Sequence, residues 1–262
     1  MNDSSEHKAY AVVTGASRGL GRSIATELSR QGYNTILVGS SSLTQEVCQE
    51  LKETYYTQSV CFMTDLTVEE NVLKLAEEIN RQYEVFMLVN NAGTGGSCSF
   101  EGASIDYLDN ILNLNVRCTT LLTHQLLPNL KRQPKSYILN VGSLAAYTPT
   151  GFKTVYPASK SFVLSFSLGL REELRNTSVS VSVCSPGAMA TNPDVIARIQ
   201  KQGFLGRVTL HSTEKIARKC VRRTLRGKRL IIFTPVSYTL SRLVPNVVKT
   251  PAMTRIVQRE VR

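Results

Sequence analysis

The stretch YAVVTGASRGLG, residues 10–21, decides the fold class of this 262-residue chain. A short apolar run ends at Thr14 and is followed at once by a turn that contains Gly15, Gly19 and Gly21. Glycines at a strand-to-helix turn let the backbone approach a pyrophosphate at the positive end of the helix. The turn therefore predicts a dinucleotide site, although glycines also end strands in proteins that bind no nucleotide.

Outward from this turn, short runs of β-branched residues alternate with longer amphipathic stretches. The predicted strands span residues 10–14, 34–39, 59–63, 85–90, 136–142, 180–184 and 229–233. The predicted helices span residues 20–31, 43–55, 68–82, 105–132, 153–175 and 213–226. This alternation is typical of a parallel sheet with crossover helices, and the nearly all-apolar strands indicate that both faces are covered. We therefore expect an α/β fold with a Rossmann-type, doubly wound sheet of about seven parallel strands.

Length and composition indicate a single globular domain over residues 1–262, with a basic C-terminal extension from about residue 234. Hydrophobic residues make up 42% of the chain and charged residues 19%, which excludes disorder over most of its length. No apolar run approaches the roughly 18–20 residues of a membrane span, and the polar N-terminus lacks the apolar core of a signal peptide. Six scattered cysteines without metal-ligand spacing predict free thiols, no metal site and a cytoplasmic protein.

Net positive charge is concentrated near the C-terminus. The net charge is +11, and residues 214–262 hold 13 Lys or Arg residues but only the acids Glu214 and Glu260. This asymmetry indicates either an anionic partner or a solvated basic face. The aromatic residues are not interleaved with the basic ones for stacking on bases, so no nucleic-acid partner is predicted. The extension also places apolar residues among basic ones, so it can lie peripherally on a membrane, cover a partner chain or remain in solvent.

Further motifs follow the glycine turn in a fixed order along the chain. They are Asp65-Leu66 after the third strand, Asn90-Asn91-Ala92-Gly93 after the fourth, Asn115 in NLNV, Ser143 after the fifth, Tyr156 with Lys160, Pro186-Gly187 after the sixth, and Thr191. With the TGxxxGxG spacing of the turn, they resemble the classical short-chain dehydrogenase/reductase family over about residues 8–233. The resemblance implies the strand order 3-2-1-4-5-6-7 and assembly into a homodimer or homotetramer.

The resemblance also implies a set of site residues. The implied catalytic residues are Asn115, Ser143, Tyr156 and Lys160. The implied cofactor-binding residues are Gly15, Ser17, Arg18, Gly19, Leu20, Gly21, Ser40, Ser41, Asp65, Leu66, Asn91, Ala92, Gly93, Tyr156, Lys160, Pro186, Gly187 and Thr191. In such a site Lys160 also reaches the nicotinamide ribose, and Asn115 kinks its helix and anchors a proton-relaying water.

The residue types fit carbonyl chemistry. Tyr156 and Lys160 are four residues apart, so on a helix they share one face, and we expect the ammonium to lower the pKa of the phenol. Tyr156 would then exchange a proton with a substrate oxygen that Ser143 holds by a hydrogen bond. Because Pro157 disfavours helical angles in the residue before it, we expect Tyr156 near the start of its helix.

The loop after the second strand favours NADP(H) as the cofactor. Ser40, Ser41 and Ser42 stand where an acid would bind the ribose of NAD, and no acid occurs before Glu46. Hydroxyl groups can donate to a 2′-phosphate, and Arg18 adds positive charge. The alternative is that the serines form only a flexible loop with loose selectivity.

The expected function is an NADPH-dependent oxidoreductase, a ketoreductase that reduces the carbonyl of a small molecule to a secondary alcohol. Residues 188–211 form an apolar segment that suits an acyl-chain or lipid-like substrate, such as a 3-ketoacyl or 3-ketosphingoid compound, or that only packs onto the domain. The alternative function is a non-catalytic nucleotide-sensing or interaction protein with the same fold.

Overall fold

The computed structural model describes residues 9–187 and 212–261, and in these ranges the strands form one seven-stranded sheet. The strands are β1 (Tyr10–Thr14), β2 (Asn34–Gly39), β3 (Ser59–Met63), β4 (Val85–Asn90), β5 (Ser136–Val141), β6 (Val179–Ser185) and β7 (Leu230–Ile232). All neighbouring pairs are parallel, and the spatial order is β3-β2-β1-β4-β5-β6-β7. The predicted doubly wound sheet and its strand order are confirmed.

Helices of the described residues cover both faces of the sheet. They are α1 (Gly19–Arg30), α2 (Leu43–Tyr55), α3 (Glu69–Gln82), α4 (Ile105–Leu112), α5 (Thr119–Arg132), α6 (Val155–Glu173), α7 (Thr213–Leu225), α8 (Pro235–Leu243) and α9 (Asn246–Val261). A π-helical turn (Asn113–Cys118) joins α4 to α5, and a short 3-10 helix (Leu144–Tyr147) follows β5. Ser212 caps α7 by accepting a hydrogen bond from the Lys215 N–H (3.4 Å).

Two apolar layers make the core, one on each face of the sheet. Helices α1, α2 and α7 pack on one face, and α3, α5 and α6 pack on the other. Along β1, Ala11 and Val13 belong to the first layer and Val12 to the second, because successive side chains of a strand point to opposite faces. Helix α1 buries Ile24 and Leu28, four residues apart, and complete burial of such a side chain stabilises a fold by about 1.5–3 kcal/mol.

The position of β1 creates a crevice at one edge of the sheet. This strand pairs with β2 on one side and with β4 on the other, so the chain winds away from it in both directions. In open α/β sheets such a switch point leaves a gap at the carboxyl ends of the strands, where ligands bind. The glycine turn that follows Thr14 therefore lies at the expected ligand edge.

Two parts of the secondary structure differ from the sequence prediction. The helix predicted over residues 105–132 is interrupted by the π turn, which begins at Asn113. Residues after 234, for which the sequence predicted no secondary structure, form α8 and α9. Thr191 and the rest of the apolar segment 188–211 lie outside the described residues. Within the described ranges, the structure contains no helix long and apolar enough to cross a bilayer.

Candidate active site

The glycine turn has the geometry that its residues predict. Gly15 and Gly19 adopt φ angles of +64° and +57°, a region in which side chains other than glycine are strained. A Cβ atom on Gly21 would lie 2.1 Å from the Gly15 carbonyl oxygen. Only glycine at position 21 therefore lets α1 begin directly under the turn, with Leu20 buried in the core beneath it.

The first turn of α1 is open to an anionic ligand. Arg18 occupies the N-cap position in an extended conformation, no side chain caps the helix, and the first turn contains no acid. The unpaired N–H groups and the positive end of the helix dipole suit a pyrophosphate group. Together with the glycine cradle, this fits the dinucleotide that the sequence predicted, with Ser17 partly exposed beside it.

Asn91 and Thr14 fix the turn to the end of β4. The Asn91 side-chain amide donates to the carbonyl oxygens of Thr14 (2.9 Å) and Gly15 (3.2 Å). The Thr14 hydroxyl accepts from the backbone N–H groups of Asn91 and Ala92, each at 2.9 Å. The preceding Asn90 is buried and donates to Thr123 and Asn140, so this motif supports both the turn and the sheet.

At the other end of the crevice lie the residues predicted to surround the adenosine. Ser40 and Ser41 are exposed directly after β2, and Arg18 is exposed on the glycine turn. Asp65 is exposed, but its Oδ1 already accepts from the backbone N–H (2.9 Å) and the hydroxyl (2.7 Å) of Thr67. Leu66 is buried in the core layer that contains α3. Asp65 therefore shapes the loop before α3 in addition to any contact with a ligand.

Ser143 and Tyr156 meet at the carboxyl end of β5. Ser143 is the N-cap residue of the short 3-10 helix and accepts a hydrogen bond from the Ala145 N–H (3.1 Å), while the Leu144 N–H donates to the Pro186 carbonyl oxygen (3.0 Å). Tyr156 is the second residue of α6, which confirms its expected place near a helix start. Burial raises the pKa of Tyr156, and a hydrogen bond from Ser143 acts in the opposite direction.

Lys160 is buried one helical turn further along α6. Its Nζ atom lies 5.9 Å from the centre of the Tyr156 ring and donates to the Val141 carbonyl oxygen at 2.9 Å. Burial lowers the pKa of Lys160 to about 8, because desolvation disfavours the ammonium form.

The sequence predicted a lowered pKa for Tyr156, but its pKa is raised, because burial outweighs the opposing effect. The ammonium group is directed to the Val141 carbonyl, and the hydrogen bond that opposes the effect of burial on Tyr156 comes from Ser143. The four-residue spacing brings the two side chains near each other, but a nearby backbone acceptor decides where the lysine nitrogen lies.

Asn115 lies in the π turn and holds the loop after β4. Its Oδ1 accepts from the Thr94 N–H and its Nδ2 donates to the Thr94 carbonyl oxygen, both at 2.9 Å. The same Nδ2 lies 2.9 Å from the Ser159 hydroxyl oxygen on α6. Extra residues in a helical turn often mark a functional position, and here the turn carries Asn115 inward to this loop.

Gly93 and Gly95 allow this loop to pass close to the site residues. A Cβ atom on Gly93 would lie 2.9 Å from Asn115 Oδ1 and 3.3 Å from Lys160 Nζ, and one on Gly95 would lie 2.3 Å from a carbon of the Tyr156 ring. Gly95 and Ser159 were not among the site residues predicted from the sequence. The signals for them were the first glycine after the NNAG motif and the serine directly before Lys160.

A narrow cleft beside Tyr156 extends the site. It is lined by Cys98, Phe100, Ala103, Tyr107, Leu108, Lys153, Thr154, Val155 and Tyr156. Most of these side chains are apolar or aromatic. The Lys153 Nζ atom lies 5.8 Å from the centre of the Tyr156 ring and adds a cation to the lining of the cleft.

The two C-terminal helices, α8 and α9, pack against loops beside the candidate site. The Tyr238 ring of α8 packs edge-on against Tyr147 at 5.1 Å between centroids. On α9, the Thr254 hydroxyl accepts from the Gly151 N–H (2.9 Å), and the Glu260 carboxylate accepts from the Ser97 hydroxyl (2.6 Å). The C-terminal extension therefore packs against the loops that follow β4 and β5.

Of the predicted site residues, the described part of the chain brings together Asn115, Ser143, Tyr156 and Lys160 at one edge of the sheet. Pro186 and Gly187 end the same edge after β6, and Gly187 is the last residue described before 212. Chemically, the arrangement offers the hydroxyl groups of Ser143 and Tyr156 and a buried amine whose pKa is lowered to about 8. Such a set can hold a carbonyl or alcohol oxygen and exchange a proton with it.

Comparisons with known proteins agree with this geometry. Residues 9–201 match the family model of short chain dehydrogenases. An uncharacterized oxidoreductase of Staphylococcus saprophyticus is 32% identical over 183 residues, which cover 69% of this chain and 78% of that protein. A very-long-chain 3-oxoacyl-CoA reductase of Anas platyrhynchos is 32% identical over 203 residues, 75% of this chain and 64% of that protein.

A solved structure shares the fold over most of the chain. A short-chain dehydrogenase from Sphingobium yanoikuyae, in complex with NADPH, aligns with a TM-score of 0.74 and 22% sequence identity. The alignment covers 86% of this chain and 87% of that protein. At this identity the likeness concerns the arrangement of helices and strands.

Proposed function

The chain belongs to the short-chain dehydrogenase/reductase family of oxidoreductases, and from that premise we propose that it is an NADPH-dependent ketoreductase. In this proposal it reduces the carbonyl group of a small organic molecule to a secondary alcohol. The observation that carries the proposal is the convergence of Ser143, Tyr156 and Lys160 beside a glycine turn that fits a dinucleotide.

The proposed reaction divides the work between cofactor and protein. The bound nicotinamide supplies the hydride. Ser143 and Tyr156 hold the substrate oxygen by hydrogen bonds, and Tyr156 donates a proton to it. Because burial raises the pKa of Tyr156, the phenol is protonated at neutral pH and is ready to act as the acid in reduction.

Lys160 supports the proton transfer in the proposed mechanism. Its pKa of about 8 lets the amine lose and regain a proton close to neutral pH. The Asn115 side chain holds Thr94, and that contact keeps the loop containing Gly95 against the Tyr156 ring. Asn115 is therefore proposed as a positioning residue for the acid.

The choice of NADPH over NADH is supported by the loop after β2. This loop offers Ser40 and Ser41 as exposed hydroxyl donors, and its first acid is Glu46 on α2. Exposed Arg18 stands on the glycine turn at the same side of the sheet. A 2′-phosphate can accept hydrogen bonds from the serines and pair with the guanidinium group, whereas a carboxylate would repel it.

An acyl-chain or lipid-like ketone is the proposed substrate class. The cleft beside Tyr156 is bordered by Phe100 and Leu108, side chains that suit an apolar substrate. The similarity to a very-long-chain 3-oxoacyl-CoA reductase supports the same class, at 32% identity.

The test compares two variants that each lose one tyrosine hydroxyl. Tyr156→Phe should keep NADPH binding while ketone reduction falls by about 10²–10⁴-fold, since the ring remains and the acid is gone. Tyr147→Phe is the matched control, because its hydroxyl lies near Ser185, outside the proposed proton path. NADPH binding and NADPH oxidation with a panel of ketones, 3-ketoacyl compounds included, are measured on the same preparations.

The outcome distinguishes the proposed ketoreductase from the alternative, a non-catalytic protein of the same fold. Full activity of Tyr156→Phe would contradict the proposed acid. A wild-type protein that binds NADPH but reduces none of the ketones would favour a nucleotide-sensing protein of the same fold.

A further inference from the structure

The two C-terminal helices leave an unusual row of apolar side chains in solvent. Val236, Leu240 and Leu243 on α8 are 74%, 55% and 74% exposed, and Val247 and Val248 at the start of α9 are 79% and 60% exposed. Isolated exposed apolar residues are ordinary in soluble proteins, but a contiguous set marks an interaction surface. We call these five residues the C-terminal apolar row.

The row points away from the rest of the molecule. On an α-helix each residue advances by about 100°, so Val236, Leu240 and Leu243 fall within about 60° of one another. Tyr238, whose ring packs on Tyr147, lies on the opposite side of the same helix. Helix α8 therefore uses one side to pack on the domain and leaves its apolar side without a partner among the described residues.

Basic side chains accompany the row. Arg242 on α8 and Arg255 and Arg259 on α9 are exposed. Val248, Arg255 and Arg259 share one side of α9, because they are separated by seven and four residues. No Asp or Glu occurs anywhere from residue 215 to residue 259, and the acid that follows, Glu260, accepts a hydrogen bond from Ser97.

We propose that the C-terminal apolar row docks on the surface of an anionic membrane. Apolar side chains with adjacent Arg groups are the composition of interfacial helices, which insert the former below the lipid headgroups and pair the latter with acidic lipids. A second copy of this chain fits less well, because a row bordered only by basic groups would meet the same positive charge on its partner.

Docking would bring the cleft edge of the sheet to the lipid. Helix α9 contacts Ser97 and Gly151, in the two loops that flank Tyr156, so one of the helices that carry the row lies beside those loops. A lipid-like ketone could then enter without crossing water. This consequence rests on the proposed function, whereas the docking itself does not.

The test measures binding of the full chain to lipid vesicles by co-sedimentation. Wild-type protein should bind vesicles of phosphatidylcholine with phosphatidylserine, bind phosphatidylcholine alone weakly, and dissociate as salt is raised. The triple variant Arg242→Gln, Arg255→Gln, Arg259→Gln should lose on the order of a hundredfold in affinity. Leu240→Ser with Leu243→Ser and Val248→Ser should lose at least about tenfold.

The matched control removes three charges from the other end of the basic segment. Arg222, Arg226 and Lys228 are exposed near the end of α7, at the edge of the sheet where β7 begins. Replacing all three by Gln should leave most of the vesicle binding. Equal loss in the control would mean that net charge, not this surface, binds the lipid.

Two other results would overturn the proposal. One is absence of binding to either vesicle type, with a wild-type chain that is folded by circular dichroism. The other is a wild-type dimer in sedimentation equilibrium that the serine variant converts to a monomer, which would assign the row to a second copy. Reduction of a water-soluble ketone should be unchanged in all these variants, so a failure of docking is distinguishable from a failure of the proposed reaction.

Discussion

At the scale of single residues, two arginines near the glycine turn differ in whether they form an ion pair. Arg22 pairs with Glu50 at 2.6 Å, whereas Arg18 is exposed and forms no ion pair within residues 9–187 or 212–261. Arg18→Ala should weaken NADPH binding roughly five- to a hundredfold and change NADH binding little, because only NADPH carries the extra phosphate. Titration of both cofactors checks this.

Arg22→Ala provides the control for that experiment. It removes a cation of the same type from α1, but one that already has a carboxylate partner. We expect similar, small effects on both cofactors. An equal loss of NADPH and NADH affinity in Arg18→Ala would instead give Arg18 a structural role in the turn.

The buried Lys160 should make the stability of the protein depend on pH in a defined direction. Burial lowers its pKa from 10.5 to about 8, so between these values the unfolded chain binds more protons than the folded one. The contribution of Lys160 to the free energy of unfolding therefore rises as pH increases from 8 towards 10.5. Below pH 8 the folded protein carries the full penalty of a buried ammonium.

The variant Lys160→Met tests the direction of this pH dependence. The variant should be more stable than wild type at pH 7, and the difference in unfolding free energy should shrink between pH 8 and 10.5. Urea unfolding of both proteins across this range measures it, since other titrating groups largely cancel in the difference. A difference that stays constant with pH would show that Lys160 titrates outside this window.

At the scale of secondary-structure elements, two glycines with open surroundings should respond oppositely to alanine. No atom lies within 4 Å of a Cβ added at Gly169, inside α6, or at Gly32, just after α1. Gly32, however, has a φ angle of +83°, whereas Gly169 lies in helical backbone. Gly169→Ala should stabilise the protein by about 0.5–1 kcal/mol, and Gly32→Ala should destabilise it by about 1–2 kcal/mol.

The denaturant midpoints of the two alanine variants, each compared with wild type, test these opposite stability changes. The pair is matched because neither methyl group meets a neighbour, so only the backbone conformation differs. A shift of both midpoints in the same direction would be inconsistent with backbone strain as the cause.

At the scale of the whole molecule, the sheet joins its two apolar layers into one unit. Adjacent residues of β1 belong to different layers, so neither layer can open without disrupting the strands that serve the other. We predict a single unfolding transition, with coincident midpoints by far-ultraviolet circular dichroism and by the fluorescence of the 10 tyrosines. Two separate transitions would contradict a single domain. A homodimer or homotetramer also stays a prediction, which sedimentation at micromolar concentration can test.

The sequence by itself determined the seven strands and most of the helices, and it predicted the site residues. All seven strands begin and end within one residue of their predicted bounds, because apolar runs and turn residues are local signals. The glycine turn was predictable for the same reason, since Gly15 and Gly19 satisfy a backbone requirement within one short segment. Tyr156 and Lys160 were predicted as site residues from their four-residue spacing and the family motif.

Only the tertiary structure decided which groups those residues contact. Lys160 donates to the Val141 carbonyl, 19 positions earlier, and Gly95 lies against the Tyr156 ring. Thr254 accepts from Gly151 across 103 positions, and this contact holds the basic extension against the loop that follows β5. A hydrogen bond to a distant backbone group leaves no periodic trace in the sequence, because it depends on how separate elements pack rather than on the residues beside it.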